Sequence, residues 1–147
     1  MLNAESKLAT IWLYSRDPRK TGEFYRDVLG MRQIFHHGVY SFDGGGVRLS
    51  IHQIQKGKKV PTGECFLVFY VKEGIEEKYR ELKRRGVKFE GKIEEEPYGK
   101  TAGFRDPDGH EIYIWQPPPK ESKGFRDVSG IVEHFESVLE KLERGNP

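Results

Sequence analysis

Four short stretches of this sequence alternate apolar residues with residues that carry rings or polar tips. One set reads Thr10, Trp12, Tyr14; Ser50, His52; Phe66, Val68, Tyr70; and Tyr113, Trp115. The interleaved set, Ile11, Leu13; Leu49, Ile51; Leu67, Phe69, Val71; and Ile112, Ile114, is wholly apolar. Side chains of a β-strand alternate between the two faces of its sheet. Strands at these positions would therefore put the aromatic and polar-tipped set on one face. A buried core seldom holds so many polar tips, since each needs a hydrogen-bond partner. A concave pocket, apolar with a few polar groups, has this character. The other reading is a face closed by subunit packing. The chemistry such a pocket offers is stacking on a planar molecule, with Thr10, Ser50 and His52 orienting it. The ligand-contacting residues predicted on this basis are Thr10, Trp12, Ser50, His52, Phe66, Val68, Tyr113 and Trp115. His52 is also the candidate for proton transfer, because its strand parity puts it inside and imidazole titrates near neutrality.

Other reactive residues carry less. His36 and His37 end a strand and could join His52 in an acid–base site. His110 sits at a turn and reads as structural; His134 lies on the exposed side of a tail helix. Cys65 opens an apolar strand and reads as a buried, inert hydrophobe. As the only cysteine it closes no internal disulfide. There is no glycine-rich phosphate loop and no Ser-His-Asp signature. Twenty-five basic residues face 23 acidic ones, for a net charge of +2, and no long basic stripe suggests nucleic acid. The longest apolar run, Cys65–Val71, is too short to cross a bilayer. No signal-peptide core opens the chain, so a cytoplasmic protein is expected.

The elements that must position these residues follow from pattern. Lys7–Ser15 reads as a strand. Pro18 and the helically spaced Phe24, Val28 and Leu29 read as a helix ending at Gly30. Strands follow at Met31–His37, Val39–Phe42 and Val47–Gln53, with Asp43-Gly44-Gly45-Gly46 turning between the last two. After a polar connector, Gln55–Glu64, the theme restarts. Cys65–Lys72 is a strand, and Ile75, Tyr79 and Leu82 mark a helix stopped by Gly86. Val87–Phe89 begins a strand, Lys100–Arg105 and Glu111–Gln116 are two more, and Pro117-Pro118-Pro119 ends the sheet. Glu94-Glu95-Glu96 reads as a solvated acidic surface. In the tail, Val128, Ile131, Val132, Phe135, Val138, Leu139 and Leu142 form a helical apolar stripe.

The restart is a repeat. Ile11–Asp17 aligns with Leu67–Glu73 at an offset of 56, and Gly46–Gln53 with Gly109–Gln116 at an offset of 63. Between them Tyr25-Arg26-Asp27-Val28-Leu29 aligns with Tyr79-Arg80-Glu81-Leu82. Changing offsets mark insertions in loops, as expected of diverged modules.

Phe24-Tyr25-Arg26-Asp27-Val28-Leu29-Gly30 resembles the first-helix signature of the vicinal-oxygen-chelate superfamily. Its members include glyoxalase I, extradiol dioxygenases, fosfomycin-resistance enzymes and bleomycin-resistance proteins. Phe104-Arg105-Asp106-Pro107-Asp108-Gly109-His110-Glu111-Ile112 is similar to the turn of its second module. The resemblance implies an α+β fold: two tandem βαβββ modules forming a curved mixed sheet around a cup. It divides the chain into a domain over 1–119, with module one at 7–54 and module two at 65–117. A C-terminal amphipathic helix over 120–147 lies outside that common core. It also implies metal-ligand positions, which fall here on Thr10, Ser50, Phe66 and Tyr113. Phenylalanine cannot ligate, and Thr, Ser and Tyr are poor substitutes for imidazole and carboxylate. The expectation is a metal-free, cofactor-free protein that binds a planar or aromatic small molecule, in the manner of bleomycin-resistance proteins, as a homodimer. Two alternatives stand beside it. One is a lyase, isomerase or dioxygenase with an atypical site on His52 and His36 or His37. The other is an assembly module whose cup is filled by a partner subunit.

Overall fold

A computed structural model describes residues 6, 8–36 and 39–119. The predicted tail helix, His134 and His37 lie outside the described residues. The elements are β1 (Thr10–Ser15), α1 (Pro18–Glu23), a π-helical turn (Phe24–Val28) that continues it, β2 (Gln33–His36), β3 (Val39–Asp43) and β4 (Arg48–Gln53). The series then repeats as β5 (Phe66–Tyr70), α2 (Ile75–Arg84), β6 (Glu94–Glu96), β7 (Gly99–Arg105) and β8 (Glu111–Gln116). Two four-stranded sheets result, ordered β1-β4-β3-β2 and β5-β8-β7-β6. In each the first and last strands of the module pair in parallel and the rest antiparallel. The fold is therefore α+β with two βαβββ modules. β1 and β5 are edges of their sheets.

Local chemistry sets the helix starts. The Asp17 carboxylate accepts from the Lys20 N–H, and Pro18 opens the helix with its preset φ. The start of α2 is instead satisfied from a distance, where Gln116 Oε1 accepts the Ile75 N–H at 2.9 Å. Its repeat equivalent, Gln53, donates to the carbonyls of Arg16 and Ile54. Each module's last strand is thereby tied to the chain leaving its first strand or entering its helix.

The apolar faces of both sheets feed one core. Leu49, Ile51, Ile112 and Ile114 are buried in it with Tyr25, Phe42, Ile75, Leu82 and Phe104. Phe24 meets Phe104 across the module boundary at 6.4 Å, and Phe104 meets Phe89 at 5.3 Å. The helical segments lie in this shared core, so both aromatic faces point away from it.

The second module's turn fastens the two halves. The Asp106 carboxylate accepts the Tyr25 hydroxyl at 2.7 Å and the N–H groups of Asp108 and His110. Asp108 accepts the Arg16 N–H and the Thr21 hydroxyl. The His110 ring donates its Nε2–H to the Tyr14 carbonyl at 2.7 Å. Burial pushes the Asp106 carboxyl up, and the Tyr25 hydroxyl, His110 and the local N–H groups only partly offset it. Burial also opposes ionisation of Asp108, but hydrogen bonds from Ser15, Thr21 and Arg16 outweigh it and hold that carboxyl below its usual range. The sign for Asp108 follows from the lowered folded value. Its contribution is complete above the ordinary carboxylate pKa and is lost as pH falls through the folded one. Asp108→Asn is expected to cost about 1–3 kcal/mol at pH 7, because it leaves buried donors short of an acceptor. Urea unfolding should show that gap narrowing toward pH 3; a gap independent of pH contradicts the assignment.

Two expectations need correction. No strand begins at Val87–Phe89. Val87 is buried and Phe89 stacks on Tyr79 at 4.1 Å, so this stretch serves the core as a loop. The strand comes at Glu94–Glu96, all exposed, on the outer side of β7. Three glutamates have low strand propensity, but on an edge their charge discourages pairing with another chain. Cys65 is exposed rather than buried, because β5 starts one residue later and lies at a sheet edge.

Candidate binding site

Module one presents three rungs between its parallel strands, Thr10↔Arg48, Trp12↔Ser50 and Tyr14↔His52. The Trp12 side chain is 64% exposed, and its indole lies 4.1 Å from the His52 ring at 35°. Thr10 Oγ1 accepts both Nη2 and Nε of Arg48, at 2.9 and 3.1 Å. Ser50 is buried, with its Oγ 3.0 Å from that of Ser41 on β3. His52 is half-buried, and its Nε2 has no hydrogen-bond partner among the described residues. Burial pushes this imidazole below its ordinary value, which favours the neutral ring.

Module two repeats the arrangement with Phe66↔Glu111, Val68↔Tyr113 and Tyr70↔Trp115. Phe66 and Val68 are 55% and 56% exposed. Phe66 meets Tyr113 edge-on at 5.5 Å, and Tyr70 meets Trp115 at 6.2 Å. Trp115 donates its indole N–H to the Tyr98 carbonyl. The Tyr113 ring lies across β7 only because Gly103 is beneath it; a Cβ there would come within 2.8 Å of the ring. The buried Tyr70 hydroxyl has no partner among the described residues, the counterpart of His52 Nε2 on the equivalent rung.

The eight predicted contact residues thus fall into two groups. Thr10, Trp12, Ser50 and His52 lie together on one face, and Phe66, Val68, Tyr113 and Trp115 on the other. Trp12 meets His52 within the first group and Phe66 meets Tyr113 within the second, and the apolar sides of both sheets feed the one core. Each face leaves large apolar side chains open to solvent: Trp12 on the first, Phe66 and Val68 on the second. The sequence reading passed over Arg48, although i, i+2, i+4 parity with Ser50 and His52 marks it as a member of the face.

Known proteins share this architecture. TnmS3, an antibiotic binding protein from Streptomyces sp. CB03234, superposes with a TM-score of 0.67 over 80% of this chain and 100% of its own, at 22% identity. A lactoylglutathione lyase from Agrobacterium tumefaciens gives 0.62 over 76% and 93%, at 18% identity. At such identities the likeness is one of fold, and a binding protein and a lyase both have it. In sequence, the Bacillus subtilis (strain 168) protein called Uncharacterized protein YraH is 31% identical over 125 residues, 75% of this chain and 98% of its own. The model of the Glyoxalase/Bleomycin resistance protein/Dioxygenase superfamily matches residues 7–114, across both modules. The chain belongs to that superfamily.

The residues at the superfamily's metal positions do not fit a metal. Thr10 Oγ1 already holds a guanidinium, whose charge opposes a divalent cation beside it. Ser50 Oγ is paired with Ser41, Phe66 has no donor atom, and Tyr113 offers a phenol. Elsewhere Asp106, Asp108 and His110 bring ligand-type atoms within 4.8 Å of one another. Their carboxylate oxygens and the His110 Nε2 are committed to the clasp between modules.

Proposed function

We propose that this superfamily member is a metal-free binding protein for planar aromatic molecules, and that its cups are completed by a second copy of the chain. One observation carries this reading. Trp12, Phe66 and Val68 are each more than half exposed, on two faces that each bear a buried polar atom without a partner among the described residues. Exposed apolar patches of this kind mark interaction surfaces. An unpaired buried polar atom costs about 1–3 kcal/mol until something bonds to it. The repeat supplies the geometry of assembly. Module one of one protomer against module two of the other, twice, closes a two-fold dimer with two identical cups. The edge strands β1 and β5 would then meet the partner rather than solvent.

Rings stacking on Trp12 and Tyr113 contribute about 0.5–1.5 kcal/mol each beyond burial. His52, favoured in its neutral form, suits a neutral hydrogen-bonding group on the ligand. The cytoplasm is the expected compartment. Among the described residues no helix is long and apolar enough to cross a membrane.

Titrating the tryptophan emission with a panel of two- and three-ring planar compounds tests the binding. Both tryptophans lie on the half-cups, so saturable quenching by at least one compound is expected. A flat response across the panel, in protein that melts cooperatively, contradicts the reading. Metal analysis of protein purified without chelator is expected to show far less than one equivalent. A stoichiometric metal lost on His52→Ala would overturn the metal-free assignment.

A second reading, acid–base catalysis by His52, draws on its unpartnered Nε2. His36 is the last residue of β2, and His37 falls outside the described residues. Chemical turnover of a bound compound, abolished by His52→Ala with binding retained, would favour it.

A further inference from the structure

Among the described residues, Arg48 is the charged group on the module-one face whose partner is neutral. The residue is half-buried and its guanidinium bonds to Thr10 Oγ1, and no carboxylate pairs with it among the described residues. Its cross-strand neighbour is Asp43. That carboxylate is engaged elsewhere, by Arg32 at 3.2 Å and the Gly45 N–H at 2.8 Å. The repeat places Glu111 at the equivalent rung of module two, and Glu111 is held by Arg105 at 2.8 Å, which also pairs with Glu90. A partly desolvated guanidinium without an anion is unfavourable, and it becomes favourable when an anion arrives. Arg48, Ser50 and His52 stand at i, i+2, i+4 on β4, spanning about 13 Å at the usual rise of a strand. Trp12 occupies the middle rung with its indole exposed. A flat ring system on that indole would reach the guanidinium with a substituent at one edge.

We propose that Arg48 is the specificity-determining residue of the module-one half-cup, and that the ligand is a planar aromatic acid whose carboxylate pairs with it. The inference rests on the binding function above and narrows its ligand class. Thr10 is the positioning residue. Its hydroxyl oxygen holds Nε and Nη2 on one side and leaves Nη1 for the incoming carboxylate. Asp43 pairs with Arg32, and Glu111 and Glu90 with Arg105, so these groups do not compete for it. A cationic aromatic, by contrast, would meet a positive charge at the edge of the stacking surface.

The test uses an isosteric pair, naphthalene-2-carboxylate and naphthalene-2-carboxamide, in equilibrium dialysis against the full chain. The carboxylate is expected to bind about tenfold more tightly than the amide, the usual scale of one charge-assisted pair. Arg48→Gln should bring the ratio to about one, chiefly by weakening binding of the carboxylate. Arg48→Lys should keep part of the preference, since it keeps the charge without the fork. A purely structural Arg48 would shift the melting temperature on substitution without moving the ratio. Equal binding of the two probes by the wild type, or a preference that survives Arg48→Gln, overturns the inference while the binding function stands. Binding of neither probe also overturns it. The function itself fails only if the neutral planar panel is silent as well.

Discussion

Glutamate at both Phe66 and Val68 is expected to turn the proposed dimer into a monomer without unfolding the chain. Both side chains are more than half exposed on the outer face of β5. In the single chain the new carboxylates would remain in water, where a surface change costs within about 0.5 kcal/mol. In the paired cup they would lose solvent against the module-one face of the other protomer, where the Arg48 guanidinium, bonded to Thr10, could pair with at most one of them. Desolvating an unpaired charge costs several kcal/mol. The dissociation constant should therefore rise by about a thousandfold or more. Light scattering across a dilution series reads this directly, with the melting temperature as control. A double variant that keeps the wild-type mass at micromolar concentration would mean that β5 faces solvent in solution.

Trp12→Ala should remove binding of planar compounds almost entirely. The indole forms the middle of its face and lies against His52. Truncating a central aromatic anchor costs about 2–4 kcal/mol of binding, a loss of about 30- to 1,000-fold. Stability should change little, because the side chain is 64% exposed and the core lies on the opposite face of β1. Trp12→Phe should retain most of the affinity, since it keeps a stacking surface of smaller area. Undiminished binding by Trp12→Ala would remove the module-one face from the site.

The repeat and the partition of the faces were readable in the sequence because strand parity is a strict period of two. Ile11, Leu13, Leu49 and Ile51 pack inward, and Trp12 turns outward, as alternation requires. β6 was not readable. Glu94–Glu96 carries no apolar alternation, and only its pairing with β7 makes it a strand. Arg48 shares the parity of Ser50 and His52, but a charged side chain at the start of a strand is as readily a solvated end, and only its bonds to Thr10 place it on the face. The clasp of Asp106, Asp108 and His110 was visible as a turn. Its role in joining modules depends on Tyr25 and Thr21, more than 80 residues away in the chain. Local pattern carries no such information. For the same reason the two groups of contact residues looked like one site: parity assigns a residue to a face, but not two faces to one another.

The central claim is that each cup draws module one from one chain and module two from another. A tagged heterodimer of a Trp12→Ala chain and a Tyr113→Ala chain tests it most directly. In that heterodimer one cup inherits both lesions and the other inherits neither. Equilibrium dialysis with a planar compound that binds the wild type should find about one high-affinity site per heterodimer and none in either variant homodimer. A heterodimer as silent as the two homodimers would contradict the account, since it would place each cup within a single chain.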